Sequence, residues 1–265
     1  MNENRSPILF VGAGPGHPDL ITVAGRRALE AADLIVFAGS LVSRDMLTWA
    51  RPDAECVDSA GMDLEAIVER MTTGFENGLR VVRLHTGDPS LYGATREQFI
   101  ALEKRGVPYR VIPGVTAAFA AAAALGLEFT LPEVCQTLIL TRASGRTPVP
   151  EAEDLAGLAA HRASLAVYLS GGLTDEVASA LVPAYGPDAP VAMVYRASWP
   201  DEQIIWTTAS RLADDVARAG LTRQVLILAG RAVEVLQQGG HAPASKLYDA
   251  GFEHGFRSGR EPADE

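Results

Sequence analysis

Short apolar runs alternate with helical patterns through the first half of the chain. Four runs that are typical of strands lie at 8–12, 34–38, 80–85 and 109–112. Between them, apolar residues recur at helical spacing behind Asp63, a candidate N-cap, and a second helical pattern opens behind Asp19. Because strands that alternate with helices usually pair in parallel, this half predicts a mostly parallel sheet with helices on its faces.

The second half repeats the alternation after Pro113-Gly114 and an alanine-rich helix predicted from Thr116 to about Leu125. Its strand-like runs lie at 136–141, 164–169, 190–195, 203–207 and 224–229. A short polar segment joins 190–195 to 203–207, which indicates a hairpin and hence an antiparallel element. We expect two α/β domains, 1–114 and 115–240, and a polar tail, 241–265, that is disordered from 257 onward.

The first strand runs into a glycine-rich loop, VGAGPGHPDL, at 11–20. A dinucleotide-binding turn needs a third glycine where this loop has His17, and an acid at the end of the next strand. That strand ends instead at Gly39-Ser40, and two prolines, Pro15 and Pro18, remove N–H donors that a pyrophosphate would need. The loop is therefore not typical of a nicotinamide site.

Composition and net charge limit the classes of partner that the chain is expected to bind. The net charge of −10 argues against nucleic acid, whose binders usually present a basic face. The longest apolar stretch, 117–127, is too short for a membrane span, and the polar start resembles no signal peptide. Two cysteines, Cys56 and Cys135, suggest a reducing, cytoplasmic compartment. No histidine or cysteine spacing matches a metal site, so no metal is expected.

Three more glycine turns follow predicted strands: LHTGDPSLYG at 84–93, PGVTAA at 113–118 and YLSGG at 168–172. The carboxyl ends of parallel strands are where open α/β sheets bind ligands. Asp88, between Gly87 and Pro89, would be an acceptor in a rigid turn, suited to a ligand with amine and hydroxyl donors. The turns thus predict a ligand crevice, although each alone could be an ordinary βα turn.

The segments VGAGPGHPDLIT, FAGSLVS, RLHTGDPSLYG and PGVTAA, in this order, resemble the tetrapyrrole methylases, which use S-adenosylmethionine. The resemblance runs from about Pro7 to Val233. Two further segments, ASWPDEQII at 197–205 and SKLYDAGFEHGFR at 245–257, are similar to the branch that methylates precorrin-4 at C11 in cobalamin synthesis. The resemblance implies two α/β domains with the cofactor in a cleft between them, and a homodimer.

The same resemblance implies which residues contact the cofactor: Pro15, Thr86, Gly87, Asp88, Leu91, Thr116, Ala117, Leu169, Ala197 and Ala229. It leaves the catalytic group open. His17 stands where the family usually has Asp, and it is either a candidate acid–base group or a tolerated surface substitution. Relatives that methylate uroporphyrinogen place an acid and a lysine at positions that hold Gly39 and Ser59 in this chain, so the group that handles the substrate proton is unassigned.

By resemblance, an electron-rich carbon of the substrate attacks the sulfonium methyl in line, and S-adenosylhomocysteine is the product. Alignment of two bound reactants would supply most of the catalysis. Cations that could meet the substrate carboxylates are Arg26, Arg27, Arg96, Arg142, Arg146, Arg196 and Lys246. Three alternatives remain: cobalt-precorrin-4 as substrate, a macromolecular substrate as in the diphthamide or ribosomal-RNA branches, and a ligand-binding module without catalysis.

Overall fold

The computed structural model describes residues 5–239, 245–249 and 251–258. The chain divides into two compact units, Met1–Ala124 with Arg196–Gln203, and Leu125–Tyr195 with Ile204–Glu265. The division thus falls after Ala124 rather than after 114, and a short later segment, Arg196–Gln203, belongs to the first unit. The tail expected at 241–265 lies partly outside the described residues, as does most of the end expected to be disordered.

The first unit is built on a five-stranded sheet with the strand order β3-β2-β4-β1-β5. All four neighbouring pairs are parallel, which confirms the predicted sheet. Its elements are β1 Ile8–Gly12, α1 Val23–Ala31, β2 Leu34–Phe37, β3 Glu55–Asp58, α2 Leu64–Glu76, β4 Val81–His85, α3 Thr95–Lys104, β5 Tyr109–Ile112 and α4 Ala117–Leu125. The edge strand β3 is the one element of this sheet that the sequence pattern did not predict.

Helices cover both faces of the sheet, because alternate residues of its central strands point to opposite sides. On β1, Phe10 packs with residues of α2 and α3, while Val11 packs with residues of α1. The strand β2 is buried along its whole length for the same reason. This arrangement leaves the ends of the strands, rather than the faces, available to a ligand.

The first helix begins later than predicted. The N-cap of α1 is Thr22, whose hydroxyl accepts a hydrogen bond from the Gly25 N–H at 3.1 Å, and not Asp19. Residues Pro18–Leu20 form a separate 3-10 turn, and Ile21 is extended between that turn and the helix. The Thr22 hydroxyl also donates to the Pro113 carbonyl, which ties the start of α1 to the loop after β5.

The second unit has a mixed sheet with the order β6-β7-β10-β8-β9. The strands β6 and β7 are parallel, whereas β10 is antiparallel to both β7 and β8. Its elements are β6 Leu138–Arg142, α5 Leu155–Ala160, β7 Ser164–Tyr168, α6 Thr174–Tyr185, β8 Pro190–Tyr195, β9 Gln203–Thr208, α7 Leu212–Ala219, β10 Val225–Ala229 and α8 Arg231–Gln238. As expected from the sequence, β8 and β9 are neighbours. No helix among the described residues is long and apolar enough to cross a bilayer.

Candidate active site

The loops that follow β1, β4 and β5 meet at the carboxyl edge of the first sheet, because parallel strands end at one side. The Ala13 N–H donates to the His85 carbonyl at 2.7 Å. Gly14 and Gly87 then exchange two hydrogen bonds, from Gly14 N–H at 3.2 Å and from Gly87 N–H at 2.8 Å. The opening glycine loop is therefore bonded to the Gly87-Asp88-Pro89 turn along its main chain.

Two glycines, Gly12 and Gly114, allow the loops to approach this closely. A Cβ on Gly12 would lie 2.6 Å from both the Gly114 Cα and the Gly87 carbonyl oxygen, and one on Gly114 would lie 2.1 Å from that oxygen. Gly87 differs, because a Cβ there would meet nothing nearer than the Thr116 Cα at 3.7 Å, while its φ of +59° favours glycine. The main chain at Gly87 is thus left open on one side.

Asp88 holds two of the loops in place. Its Oδ1 accepts from the Ser90 N–H at 2.8 Å, which closes the turn, and its Oδ2 accepts from the Gly114 N–H at 2.8 Å. The sequence suggested a carboxylate aimed at a ligand. The structure instead commits both oxygens to backbone donors, so the side chain fixes the spacing between the loops after β4 and β5.

The segment 196–203 reaches the same edge. The Trp199 indole N–H donates to the Pro15 carbonyl at 2.8 Å, and the His17 N–H donates to the Ser198 hydroxyl at 3.0 Å. Gly16 makes room for the indole, because a Cβ there would lie 2.1 Å from the Trp199 ring. The buried Ala197 is therefore held beside the opening loop, and its contact with the cofactor stays a prediction.

His17 has a local structural role. Its Nδ1 accepts a hydrogen bond from the Asp19 N–H at 3.2 Å and so caps the 3-10 turn at Pro18–Leu20. Its side chain is 54% exposed. This geometry explains why a histidine suits the position without any catalytic task, and an acid–base role for His17 stays a prediction.

Strained backbone collects in the predicted site loops. Eight described residues other than glycine have a positive φ. Three of them, Tyr92, Leu169 and Ser198, lie in the segments singled out from the sequence, and Ala94 and Arg196 directly adjoin those segments. Such conformations cost on the order of 1–3 kcal/mol each and persist at functional sites, where the surrounding structure imposes them. Leu169 has φ 54° and is 67% exposed, so its side chain is accessible to a ligand.

The predicted cofactor residues fall in both units. Eight belong to the first unit: Pro15, Thr86, Gly87, Asp88, Leu91, Thr116, Ala117 and Ala197. Hydrogen bonds or close approaches join the main chain around Pro15, Gly87 and Thr116, and Leu91 donates its N–H to the Asp88 carbonyl. The other two belong to the second unit, where Leu169 follows β7 and the buried Ala229 ends β10.

A polar network that the sequence did not predict lies beneath this edge. Arg83 on β4 is 5% exposed, and its guanidinium donates to the Gln98 amide oxygen, the Val36 carbonyl and the Ser59 hydroxyl. Burial lowers the pKa of Arg83 to about 10, and burial together with the Arg83 charge lowers the pKa of His85 to about 3. In the sequence, Arg83 and His85 stand within an apolar run, and that pattern did not predict that both side chains are buried close to one another.

The sequence also missed Asp58, which ends β3. Its carboxylate accepts hydrogen bonds from the Gly39 and Ala60 N–H groups and so joins the ends of β2 and β3. Three of the four residues of β3 are exposed, so no apolar pattern marked a strand there. The only signal in the sequence was an aspartate directly after the β-branched Val57, and such a pair of residues is too common to indicate a site.

Known proteins match this chain over most of its length. A family model described as Tetrapyrrole (Corrin/Porphyrin) Methylases matches residues 7–213. The chain is 46% identical over 256 residues to the cobalt-precorrin-4 C(11)-methyltransferase of Methanocaldococcus jannaschii, covering 96% of this chain and 97% of that protein. It is 47% identical over 252 residues to the precorrin-4 C(11)-methyltransferase of Pseudomonas aeruginosa, covering 95% and 99%.

Solved structures show the same similarity. The X-ray structure of a cobalt precorrin-4 methyltransferase matches with a TM-score of 0.83 and 48% identity, covering 86% of this chain and 95% of that one. A uroporphyrin-III C-methyltransferase from Thermus thermophilus, in complex with S-adenosylhomocysteine, matches with a TM-score of 0.72 and 28% identity, covering 87% and 94%. Both similarities extend over elements of both compact units.

Proposed function

The chain belongs to the tetrapyrrole methylases, and from that membership we propose that it is an S-adenosylmethionine-dependent methyltransferase acting at C11 of precorrin-4. The observation that carries the proposal is the similarity of 46–47% identity, over almost the whole of each chain, to C(11)-methyltransferases named for precorrin-4 or for cobalt-precorrin-4. The carboxyl edge of the first sheet supports it, because three glycine-bearing loops and the segment 196–203 are fixed together there.

The residues present fit the cofactor. Gly87 leaves its main chain open at a positive φ, so that a ligand could approach where a side chain would otherwise stand. Thr86 beside it is exposed and offers a hydroxyl, and Leu91 and Leu169 offer apolar contact. When bound, S-adenosylmethionine supplies a methyl group activated by its sulfonium charge. Gly87, Thr86, Leu91, Thr116 and Ala117 would hold it at the carboxyl edge of the first sheet, and contact with Leu169 and Ala229 stays a prediction from the resemblance.

The task of the chain's own residues is to orient two reactants. Asp88, Gly12 and Gly114 fix the spacing of the loops, and Trp199 fixes the segment 196–203 against Pro15. A site built in this way does not need to reorganise when a ligand binds, and positioning of two reactants can contribute about 7–11 kcal/mol to the lowering of a barrier. The strained loops have the same consequence, because their conformation is already set by the fold.

A cobalt-containing substrate is the second candidate, since two of the most similar relatives are named for cobalt-precorrin-4 and others for precorrin-4. Their identities to this chain differ by only one percentage point, so similarity does not separate them. The proposal also includes a homodimer and a cytoplasmic location. The free thiols of Cys56 and Cys135 support a reducing compartment.

Turnover tests the proposal. The protein is incubated with S-adenosylmethionine and either precorrin-4 or cobalt-precorrin-4, and products are identified by mass. We expect one methyl group to be added, dependent on both reactants, together with stoichiometric S-adenosylhomocysteine. A protein that binds the cofactor yet methylates neither tetrapyrrole would contradict the proposal and favour a macromolecular substrate or a binding module. NAD in place of S-adenosylmethionine is the control for cofactor class.

A further inference from the structure

The side chain of Asp58 occupies the space beside Gly39, at the carboxyl ends of the paired strands β3 and β2. An ideal Cβ on Gly39 would lie 2.1 Å from Asp58 Oδ2 and 2.6 Å from its Cγ. The φ of Gly39 is outside the left-handed region, so the backbone there does not require glycine. Space for the Asp58 carboxylate is what requires it.

The two oxygens of this carboxylate have different surroundings. Oδ1 accepts from the Gly39 N–H at 3.0 Å and from the Ala60 N–H at 2.9 Å. Oδ2 has a cation, the Arg44 guanidinium, at 4.0 Å, beyond hydrogen-bond distance. Arg44 is 80% exposed, and an ion pair so exposed contributes little, so Oδ2 remains able to accept from another donor.

The fold makes this position rigid. The Ser59 N–H and hydroxyl both donate to the Phe37 carbonyl, at 2.8 and 3.0 Å, and the buried Arg83 guanidinium donates to the Ser59 hydroxyl at 2.9 Å. Hydrogen bonds from Ala60 and Gly39 lower the pKa of Asp58, so the carboxylate stays ionised at neutral pH. A fixed anion with one available oxygen, 37% exposed, is suited to bind a donor.

The chemistry of the proposed substrate supplies such donors. The rim of a tetrapyrrole carries carboxylates, which an ionised aspartate repels, whereas the pyrrole-type nitrogens at its centre carry N–H groups. Asp58 ends β3 at the same edge as the cofactor loops, which follow β4, β1 and β5, with β2 between. This order of strands leaves the carboxyl ends of β2 and β3 available to the second reactant, the tetrapyrrole.

We propose that Asp58 is a substrate-binding residue whose Oδ2 accepts hydrogen bonds from ring N–H groups of the tetrapyrrole, while Gly39 provides the space that holds it. Arg44, beside it and exposed, would meet a rim carboxylate. The inference rests on the proposed function and adds to it a residue that positions the macrocycle. It assigns no proton transfer to Asp58, because its low pKa makes it an acceptor of hydrogen bonds rather than a store for a proton.

Two variants separate binding from structure. Asp58→Asn keeps an oxygen that can accept from Gly39 and Ala60 and replaces only the free oxygen with an NH₂ donor. Asp58→Ala removes both backbone hydrogen bonds as well. Glu55→Gln is the matched control, since Glu55 is an exposed carboxylate at the opposite end of the same strand.

With precorrin-4 as substrate, we expect Asp58→Asn to raise KM on the order of ten-fold, the effect of one hydrogen bond to a charged group. Its affinity for S-adenosylhomocysteine should equal that of the wild type, and its Tm should fall less than that of Asp58→Ala, because the amide oxygen keeps both backbone hydrogen bonds and loses only the charge that strengthens them. Glu55→Gln should keep the wild-type KM. Asp58→Ala should show the raised KM together with a lower Tm. Wild-type KM in Asp58→Asn, with an active wild-type enzyme, would overturn this inference alone. A wild-type protein inactive on either tetrapyrrole would overturn the proposed function, and this inference with it.

Discussion

At Gly87, backbone conformation and ligand approach can be separated by mutation. Gly87→Val places a branched side chain at φ +59° and fills the open side of the turn. We expect it to lower affinity for S-adenosylhomocysteine at least a hundred-fold, because the main chain there would no longer be accessible. Calorimetric titration of the folded variant measures this.

Gly106→Val is the control for strain. Gly106 lies in the turn after α3, has φ +65°, and has no atom within 4 Å of an added Cβ. It should lose stability comparably, by roughly 1–2 kcal/mol, and keep its affinity. Equal affinity in both variants would place the cofactor elsewhere.

Single residues were predicted from the sequence when their role is local, and missed when it depends on a distant partner. Asp63 is the N-cap of α2, as predicted, because its side chain acts on Ala66, three residues later. The partner of Asp88 is Gly114, in another loop, and no local pattern could reveal it. For the same reason, no local pattern could reveal that the side chain of Asp58 fills the space beside Gly39.

The strand β4 contains a histidine that opposes folding in acid. His85 Nε2 is buried and has no hydrogen-bond partner among the described residues, and the ring stacks on Phe10. The folded protein binds a proton there only near pH 3, whereas the unfolded chain does so near 6.5. Between these values the unfolded state binds more protons, so the free energy of unfolding falls as the pH falls, by up to about 1.4 kcal/mol per pH unit.

Replacing the imidazole should flatten this dependence. We expect urea denaturation of His85→Phe to show a smaller loss of stability between pH 6 and pH 4 than the wild type shows. His161→Gln, which removes an exposed histidine, should keep the wild-type slope. If His85→Phe and the wild type lose stability in parallel, the buried imidazole is not what opposes folding in acid.

At the scale of elements, the apolar pattern predicted what is buried. The strands β1 and β2 are covered on both faces and read as continuous apolar runs, so their positions were clear. The strand β4 is buried as well, and its apolar residues marked it although it also carries Arg83 and His85. The strand β3 is an edge strand with charged ends, ECVD, and carries no such pattern. The start of α1 was misplaced because Asp19 and Thr22 are both suitable N-caps, and the 3-10 turn at Pro18–Leu20 decides between them.

The net negative charge of the whole molecule opposes the binding of a tetrapyrrole that carries carboxylate groups. The protein carries −10, so carboxylate groups of a substrate need local cations. Four of the seven candidates already have partners: Arg26 with Glu30, Arg96 with Glu103, Arg196 with Asp201, and Arg142 with the carbonyls of Thr147 and Pro148. Arg27, Arg146 and Lys246 are exposed.

Salt should therefore act on the two reactants differently. Raising the ionic strength from about 0.05 to 0.5 M shortens the range of electrostatic attraction to a few ångströms. We expect KM for precorrin-4 to rise several-fold, while affinity for S-adenosylhomocysteine changes little. A KM that is independent of salt would show that charge attraction contributes nothing to substrate binding.

The architecture of the first unit followed from strand–helix alternation, but that of the second did not. Its strands were found, yet β10 runs antiparallel to both neighbours, and only the path of the chain between strands sets that direction. The return of 196–203 to the first unit depends on Trp199 and Pro15, which are far apart in sequence. Composition and local pattern therefore predict neither the direction of β10 nor the return of 196–203 to the first unit.

The position of the transferred methyl group tests the central claim most directly. The protein is incubated with precorrin-4 and S-adenosylmethionine labelled with ¹³C in its methyl group, and the product is examined by NMR. The account predicts a single labelled methyl, bonded to C11. Label at another ring carbon, or on a nitrogen, would contradict it even if the mass gain were that of one methyl group.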